Sequence, residues 1–480
     1  MNTVVSYLPG AAAAPSEIQR VFERQRETAI RLRTSTAQER IMRIQRLYDA
    51  VMAHRTQIHE AAYQDFKKPP AEVDLAEIMP VLSEAKQAMR KLKKWMKPQR
   101  VMPTQLTLGT SSWIQREPKG RCLIISPWNY NVNLCFSPLV SCIAAGNTAI
   151  LKPSEMTPHL SALMGKIVRD LYPEDEVALF EGDMSTSTAL LELPFDHIFF
   201  TGSPAVGKIV MAAAAKHLTS VTLELGGKSP TIIDETANIR EAAQTLMWGK
   251  YTNNGQTCIA PDYIYVHASK KEEFVAECIK VLETCYGKTM QEQLSTPALA
   301  RVVNQRHAKR VNGLLTDAKE RGARVLFGGE AAEDQCFVQP TLLDNIPDDA
   351  RIQSEEIFGP LLPIIAYTNL DKILADINAE AKPLALYIWS KHEPTIQKIL
   401  KQTSAGGTCI NHCVVQYVHG NLPFGGVNNS GIGSAHGLHG FLSFSHERAV
   451  VRTRFNSAKI LYPPHNGFKR KVLELMLKMT

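Results

Sequence analysis

From residue 121 onward the chain alternates between two kinds of segment, and this alternation restricts the fold more than any other feature of its 480 residues. Short β-branched or aromatic runs stand at 122–126 (CLIIS), 148–152 (TAILK), 177–181 (VALFE), 197–201 (HIFFT) and 221–225 (VTLEL). Between them lie helical segments such as PLVSCIAAG, SALMGKIVRDL and AVGKIVMAAAAKHL. Parallel neighbours need a long crossover, usually a helix, so this order predicts a parallel, helix-covered sheet. Such sheets bind ligands outside the carboxyl ends of their strands, which singles out the loops after these runs. A second α/β pattern follows over 228–420, with TIIDE, YIYVH, ARVLFGG, LLPIIAY, ALYIWS and GGTCIN as strand candidates.

The flanks read differently. Residues 16–68 are expected to be helical, with Ile41, Ile44, Leu47 and Val51 forming one buried stripe. A second amphipathic helix spans 81–97, with Leu82, Ala85, Met89, Leu92 and Met96 on one face and Lys97-Pro98 as its stop. Residues 101–120 suggest a β-hairpin. The tail from Ser443 holds a strand-like run, AVVRTRF, and then a basic helix. The length suggests about three domains or lobes.

Composition sets wider bounds. With 44% hydrophobic and 21% charged residues the chain is an ordinary globular one. Its formal charge of +7 permits an anionic partner without demanding nucleic acid. Residues 85–100 hold seven basic and no acidic residues, and residues 446–480 hold eight basic and two acidic ones. The surplus is thus two basic patches, read either as serving an anionic surface or simply as the solvated faces of two helices. Nine cysteines without a CxxC pair point to reduced thiols in a cytosol-like compartment. No secretory signal is recognisable at the N-terminus, and no run approaches the ~20 apolar residues of a membrane span.

Several residues could carry chemistry, and each has a plainer reading. Cys258, in Asn254-Gly255-Gln256-Thr257-Cys258, sits where a tight turn would expose a sulfur. It is a nucleophile or a small core residue. Glu224 is one carboxylate in an apolar strand before Gly226-Gly227. It is a general base raised by burial, or an N-cap or ion-pair partner of Lys228. Thr201 to Gly207 follows a strand and opens a helix whose N–H groups attract phosphate. Pro204 takes the second glycine position there, so the standard dinucleotide fingerprint is absent. Lys152 and Glu155 could meet ribose or phosphate oxygens, or simply line a solvated loop. Asn129 is an oxyanion donor or a helix cap. Cys409, His412 and Cys413 offer three ligands where a closed structural zinc needs four, so no metal site is expected.

Seven motifs occur in one order: PWNY (127–130), AAGNTAILKPSE (144–155), FTGSPAVGK (200–208), VTLELGGKSP (221–230), GQTCIAPDY (255–263), EEIFGP (355–360) and LPFGGVNNSGIG (422–433). Together they resemble the aldehyde dehydrogenase family, in its class 3 or fatty-aldehyde branch, over roughly residues 17–465.

The resemblance implies NAD(P)-dependent oxidation of aldehydes, medium or long aliphatic or aromatic, to carboxylic acids. Cys258 would attack the aldehyde to give a thiohemiacetal, with the Asn129 amide and a backbone N–H near Cys258 holding the oxyanion. Hydride would pass to the nicotinamide, and Glu224 would activate water to hydrolyse the remaining thioester. Trp128, Lys152, Glu155, Gly202, Ser203, Val206, Gly207, Leu225, Glu356 and Phe358 would bind the cofactor. Lys152 and Glu155 would lie near the adenosine ribose, Gly202 to Gly207 around the pyrophosphate, Glu356 at the nicotinamide ribose and Phe358 beside the ring. Glu155 would favour NAD, with NADP possible.

The implied architecture is a Rossmann-like cofactor domain (1–98 and 121–227), an α/β catalytic domain (228–421), and a β-hairpin oligomerisation arm with the C-terminal tail (99–120 and 422–480). A cytoplasmic homodimer is expected, with no nucleic acid partner and no membrane span. The end NGFKRKVLELMLKMT could touch an anionic membrane surface weakly as a basic amphipathic helix. Asn131 stands where the family usually has proline, which questions the rigidity of that loop. Tyr63, Tyr130 and Trp248 are aromatic candidates for the substrate tunnel. A coenzyme A-acylating enzyme and a non-catalytic protein on the same fold are the alternatives. The presence of Glu224, and of all three catalytic candidates, argues against them.

Overall fold

Two helix-covered sheets dominate the computed structural model, which describes residues 14–104, 107–456, 459 and 461–479. The first has six strands in the order Gly431–Ile432, Ser220–Glu224, His197–Thr201, Arg121–Ile125, Thr148–Lys152, Val177–Leu179. All five runs expected there are strands, and they pair in parallel. Only Gly431–Ile432 joins antiparallel, at the edge. The chain enters at Arg121–Ile125, builds outward in one direction, then returns to lay His197–Thr201 on the other side. The strand order therefore reverses between these two strands, and the loops beyond their carboxyl ends diverge to open a crevice.

The second sheet has seven strands in the order Arg324–Phe327, Thr341–Asp344, Leu361–Tyr367, Tyr263–His267, Pro230–Ile233, Ala385–Trp389, Gly407–Ile410. It is parallel except for its first member. Thr341–Asp344 is the strand that the sequence pattern did not single out, because TLLD is too short and unalternating to stand apart from its surroundings.

The N-terminal helical region is three helices, Pro15–Leu32, Ala37–Ala53 and Arg55–Phe66. A Thr36–Glu39 capping box starts the second. Ile44, Leu47 and Val51 are buried as the stripe requires. The helix Met79–Trp95 follows a π-helical turn, Asp74–Ile78. Its Leu92 and Trp95 pack into the same core as Phe136, Phe441 and Phe444. Residues 431–444 thus contribute both a strand and core side chains to the first sheet's layer.

The hairpin Gln99–Val101 and Thr110–Pro118 gains the tail strand Ser445–Thr453 to make a three-stranded antiparallel sheet. Cross-strand pairs Arg116–Glu447 and Arg448–Glu117 bridge it. The terminal helix Gly467–Met479 exposes Phe468, Leu475 and Leu477. Among the described residues no helix is long and apolar enough to cross a membrane.

Candidate active site

The loop after Arg121–Ile125 carries Trp128, Asn129 and Tyr130, all buried. The helix that follows, Asn131–Ala145, has no side-chain cap, so Asn129 is not its cap. Its amide instead donates to the Gln256 carbonyl at 2.9 Å, two residues before Cys258. An amide has two N–H donors, so one remains for an oxyanion. Asn131 is fully buried: its Nδ2 donates to Thr157 and Ser161, and its Oδ1 accepts from Ser126. Three hydrogen bonds thus hold the loop where proline would have held it by a fixed φ.

Cys258 lies in a second loop, between the helix Ile239–Tyr251 and the strand Tyr263–His267. Asn253, Asn254 and Gly255 all have left-handed φ values (54°, 53° and 74°). Asn is the non-glycine residue that tolerates this best, and buried hydrogen bonds hold the turn. Asn253 Nδ2 donates to the Asn129 and Gln256 carbonyls, and Asn254 Nδ2 to the Ala300 carbonyl. The Gln256 side chain bonds Asn253, Arg301 and Val303. A Cβ on Gly255 would overlap the Gly359 carbonyl oxygen. Gly255→Ala is therefore expected to lower stability by at least about 2 kcal/mol and to misplace the sulfur. An unchanged melting temperature would contradict this.

Cys258 itself is half-buried. Burial, and then the carboxylates Glu356 and Glu224, push its thiol up to about 12, while its own N–H and that of Ile259 oppose the shift. Glu224 ends its strand with both carboxylate oxygens buried and without a hydrogen-bond partner. Burial holds its pKa well above the usual carboxylate range. The ion-pair alternative does not form: Lys228 instead pairs with Asp262, and donates to the Ile352 and Glu355 carbonyls at 2.8 and 3.1 Å. Glu224 and Cys258 line a common cavity with Leu134 and Tyr417, and a common cleft with Asn129. The three catalytic candidates therefore meet.

That cleft encloses roughly 770 Å³ open to solvent. It is walled by Pro127, Trp128, Thr201, Gly202, Ser203, Leu225, Gly226, His307, Arg310, Glu356 and Phe358 among others. Ser203 caps the helix Pro204–Ala215 by accepting from the Val206 N–H, with Pro204 at the first helical position. The proline that breaks the standard fingerprint is thus a helix starter, and the free N–H groups of the first turn remain to meet phosphate. A Cβ on Gly207 would stand 2.7 Å from the Leu225 side chain, and one on Gly226 would collide with the Glu356 carboxylate. The Thr201 hydroxyl is buried without a partner at the cleft wall. A glycine cradle, a helix N-terminus and an unmatched hydroxyl together fit a dinucleotide.

The other residues expected at the cofactor take the following places. Phe358 has a φ of 44° and meets Trp128 edge to face at 5.4 Å. Burial pushes Glu356 up to about 7, against the Gly227 N–H, Lys228 and Arg310. Lys152, at the end of Thr148–Lys152, pairs with the half-exposed Glu155 at 2.8 Å. His307 and Arg310 are cleft residues that the sequence reading missed. They lie three apart on the helix Gln305–Glu320, where only that spacing could have hinted at a shared face.

A second opening reaches Cys258 from another side. It encloses roughly 870 Å³ of space open to solvent and is lined chiefly by apolar groups: Leu75, Ala76, Pro80, Leu134, Trp248, Ile259, Val414, Val415, Tyr417 and Val418. Tyr130 and Trp248 line it as expected, and the Tyr130 hydroxyl bonds Thr257 at 2.6 Å. Tyr63 does not: it lies 53% exposed on the helix Arg55–Phe66, because that helix turns its Ile58, Ala61, Ala62 and Phe66 face inward. Cys409 and Cys413 bond Gln416 and the Thr245 carbonyl. Among the described residues, no three His, Cys, Asp or Glu side chains gather as a metal site.

Residues 3–450 match the model of the aldehyde dehydrogenase family. The chain is 41% identical over 437 residues to the 4,4'-diaponeurosporen-aldehyde dehydrogenase of Staphylococcus aureus, covering 91% of this chain and 94% of that one. It is 37% identical over 468 residues to aldehyde dehydrogenase family 3 member B3 of Mus musculus, covering 97% and 96%. A substrate-bound structure of Staphylococcus aureus AldH superposes with a TM-score of 0.91 at 39% identity, over 96% and 99% of the two chains. An aldehyde dehydrogenase of Mycobacterium tuberculosis complexed with NAD+ superposes with a TM-score of 0.83 at 27% identity, over 92% and 91%.

Proposed function

The chain belongs to the aldehyde dehydrogenase family, and from that premise we propose that Cys258, Glu224 and Asn129 are its nucleophile, base and oxyanion donor. The enzyme oxidises aldehydes, and NAD or NADP supplies the hydride acceptor when bound. The observation that carries the assignment is convergence. The half-buried sulfur of Cys258 lies where the apolar tunnel meets the glycine-lined cleft, and Asn129 and Glu224 line that cleft with it.

The Cys258 thiol gives up its proton to solvent as its sulfur attacks the carbonyl carbon, and the Asn129 amide, with a backbone N–H near Cys258, holds the oxygen as it gains charge. Once hydride has left, a thioester to Cys258 remains. Glu224 takes a proton from water, which attacks the thioester and frees the carboxylic acid. Gly202, Ser203, Val206 and Gly207 would hold the pyrophosphate, and Lys152 and Glu155 the adenosine ribose. Trp128, Leu225, Glu356 and Phe358, which line the cleft, would hold the nicotinamide end. Glu155 would bond a ribose 2′-OH and repel a 2′-phosphate, which would favour NAD.

The tunnel's apolar walls suit medium or long aliphatic, or aromatic, aldehydes. Residues 1–98 and 121–227 form the cofactor domain and 228–421 the catalytic domain. The sheet made by 99–120 and the tail is a dimer arm: its exposed Met102 and Val451 would be covered by a second copy. Nine free cysteines, most of them buried, suit a reducing cytoplasm. The amphipathic helix Gly467–Met479 suits weak contact with an anionic membrane surface.

The direct test supplies purified protein with NAD and a series of n-alkanals, with and without coenzyme A. Reduced nicotinamide and free carboxylic acid are expected without coenzyme A, and kcat/KM is expected to rise with chain length among the shorter alkanals. No turnover across the series, or a requirement for coenzyme A, would overturn the reading.

A further inference from the structure

One charged side chain stands among the described residues lining the apolar tunnel, and the reaction assigned to Cys258 does not use it. Glu72 lies on the short helix Pro70–Val73 and shares the tunnel wall with Leu75, Leu134, Trp248 and Tyr417. Its Oε2 accepts a 2.9 Å hydrogen bond from the Asn253 backbone N–H. No such bond reaches its Oε1 among the described residues. Lys68 is the nearby cation, but its ammonium is fully buried and engaged, donating to Glu77 at 2.8 Å and to the Asn129 carbonyl at 3.1 Å. Burial pushes the Glu72 carboxyl up to about 7, against Asn253 and Lys68. A plain hydrocarbon filling the tunnel would strip water from this carboxyl and offer nothing in return. A polar group buried unmatched costs more than an average hydrogen bond contributes.

We propose that Glu72 is a hydrogen-bond acceptor for the substrate, selecting aldehydes that carry a hydroxyl group on the chain or ring away from the carbonyl. The proposal rests on Cys258 as the nucleophile in the same tunnel. The hydroxyl donates to Oε1 while Oε2 keeps the Asn253 N–H. Sites built to bond a hydroxyl reject analogues without it far more strongly than apolar pockets reject a missing methylene.

The test measures kcat/KM for n-alkanals, ω-hydroxyalkanals and ω-methoxyalkanals of matched length. An ether accepts a hydrogen bond but cannot donate one. At pH 9, where the Glu72 carboxyl is ionised and can only accept, and at the length that reaches it, the wild-type enzyme is expected to prefer the alcohol to the ether by about ten- to a hundredfold. Glu72→Gln keeps an oxygen for Asn253 and turns an N–H donor to the substrate, so the ether gains and the ratio falls towards one. A wild-type ratio near one at every length overturns the proposal, whatever the variant does. An unchanged ratio in Glu72→Gln overturns it as well. Turnover of the unsubstituted alkanals by the wild type, and its loss in Cys258→Ala, reports separately on the underlying reading.

Discussion

Cys258→Ala is expected to lower kcat/KM for every aldehyde by at least about 10⁴-fold, while dinucleotide binding, followed by fluorescence, persists. The size follows from the chemistry: no other thiol lines the cleft beside Asn129 and Glu224, so the substitution removes the covalent route altogether. The resting thiol is mostly neutral at physiological pH, because burial and the carboxylates Glu356 and Glu224 push it up to about 12. The free enzyme is therefore expected to react slowly with iodoacetamide near pH 7 and faster as pH rises, since the thiolate is the reactive form. Activity surviving in Cys258→Ala would remove the proposed mechanism.

Glu224→Gln is expected to lower kcat by about 10²- to 10⁴-fold, the usual contribution of a positioned base. The loss should be confined to the second half of the reaction. Attack by Cys258 and departure of hydride need no activated water, so the variant should release about one equivalent of reduced nicotinamide per site in a rapid burst and then stall as the thioester. Rapid mixing with absorbance detection reads both phases. Equal losses in burst and steady state would contradict a base acting only on the thioester.

The pH dependence has a definite sign. Glu224 is effective only when ionised, and burial holds its pKa well above the ordinary carboxylate range. Thioester hydrolysis should therefore accelerate as pH rises through that value, and the glutamine variant should lose this limb. Folding runs the other way. Between the ordinary and the raised pKa the native state holds the proton more firmly than the unfolded chain, so this group's contribution to stability falls as pH rises.

The basic surplus resolves into parts with local partners. Lys86 lies over the Tyr48 ring at 5.4 Å and Lys91 donates to Asn421, both from the exposed side of Met79–Trp95. In the three-stranded sheet Arg116 and Arg448 pair with glutamates across the strands. Exposed pairs of this kind contribute little to stability.

Much of the site was legible in the chain because its residues sit at strand ends and turns, where backbone geometry writes itself into local composition. Thr201 to Gly207 is legible as the turn between a strand and a helix, although without the standard glycine fingerprint it reads equally as a plain turn, and the structure makes Pro204 the first helical residue. Gly255 and the small polar residues beside it suit a tight turn before Cys258, and the structure gives Asn253, Asn254 and Gly255 left-handed φ values that few other residues accept. The periodicity of 41–51 likewise named a buried face. It does not name which face of Arg55–Phe66 is buried, so Tyr63, a candidate for the tunnel by residue type alone, turns out to face solvent.

What the chain settles alone is the set of local conformations and chemical types: alternating strands and helices, a thiol in a strained turn, and a carboxylate in an apolar strand. Whether Cys258 is a nucleophile or a core residue, and whether Glu224 is a base or the partner of Lys228, depends on groups far apart in sequence. Folding brings the carboxyl ends of one sheet against the Cys258 and Glu356 loops of the other, and it leaves Lys228 paired with Asp262 instead of Glu224. The tunnel is the extreme case. Leu75, Leu134, Trp248 and Val415 come from four distant segments, each apolar for reasons that would serve equally well in a core. Only their convergence on a cavity, with Glu72 left among them, separates a substrate path from ordinary packing.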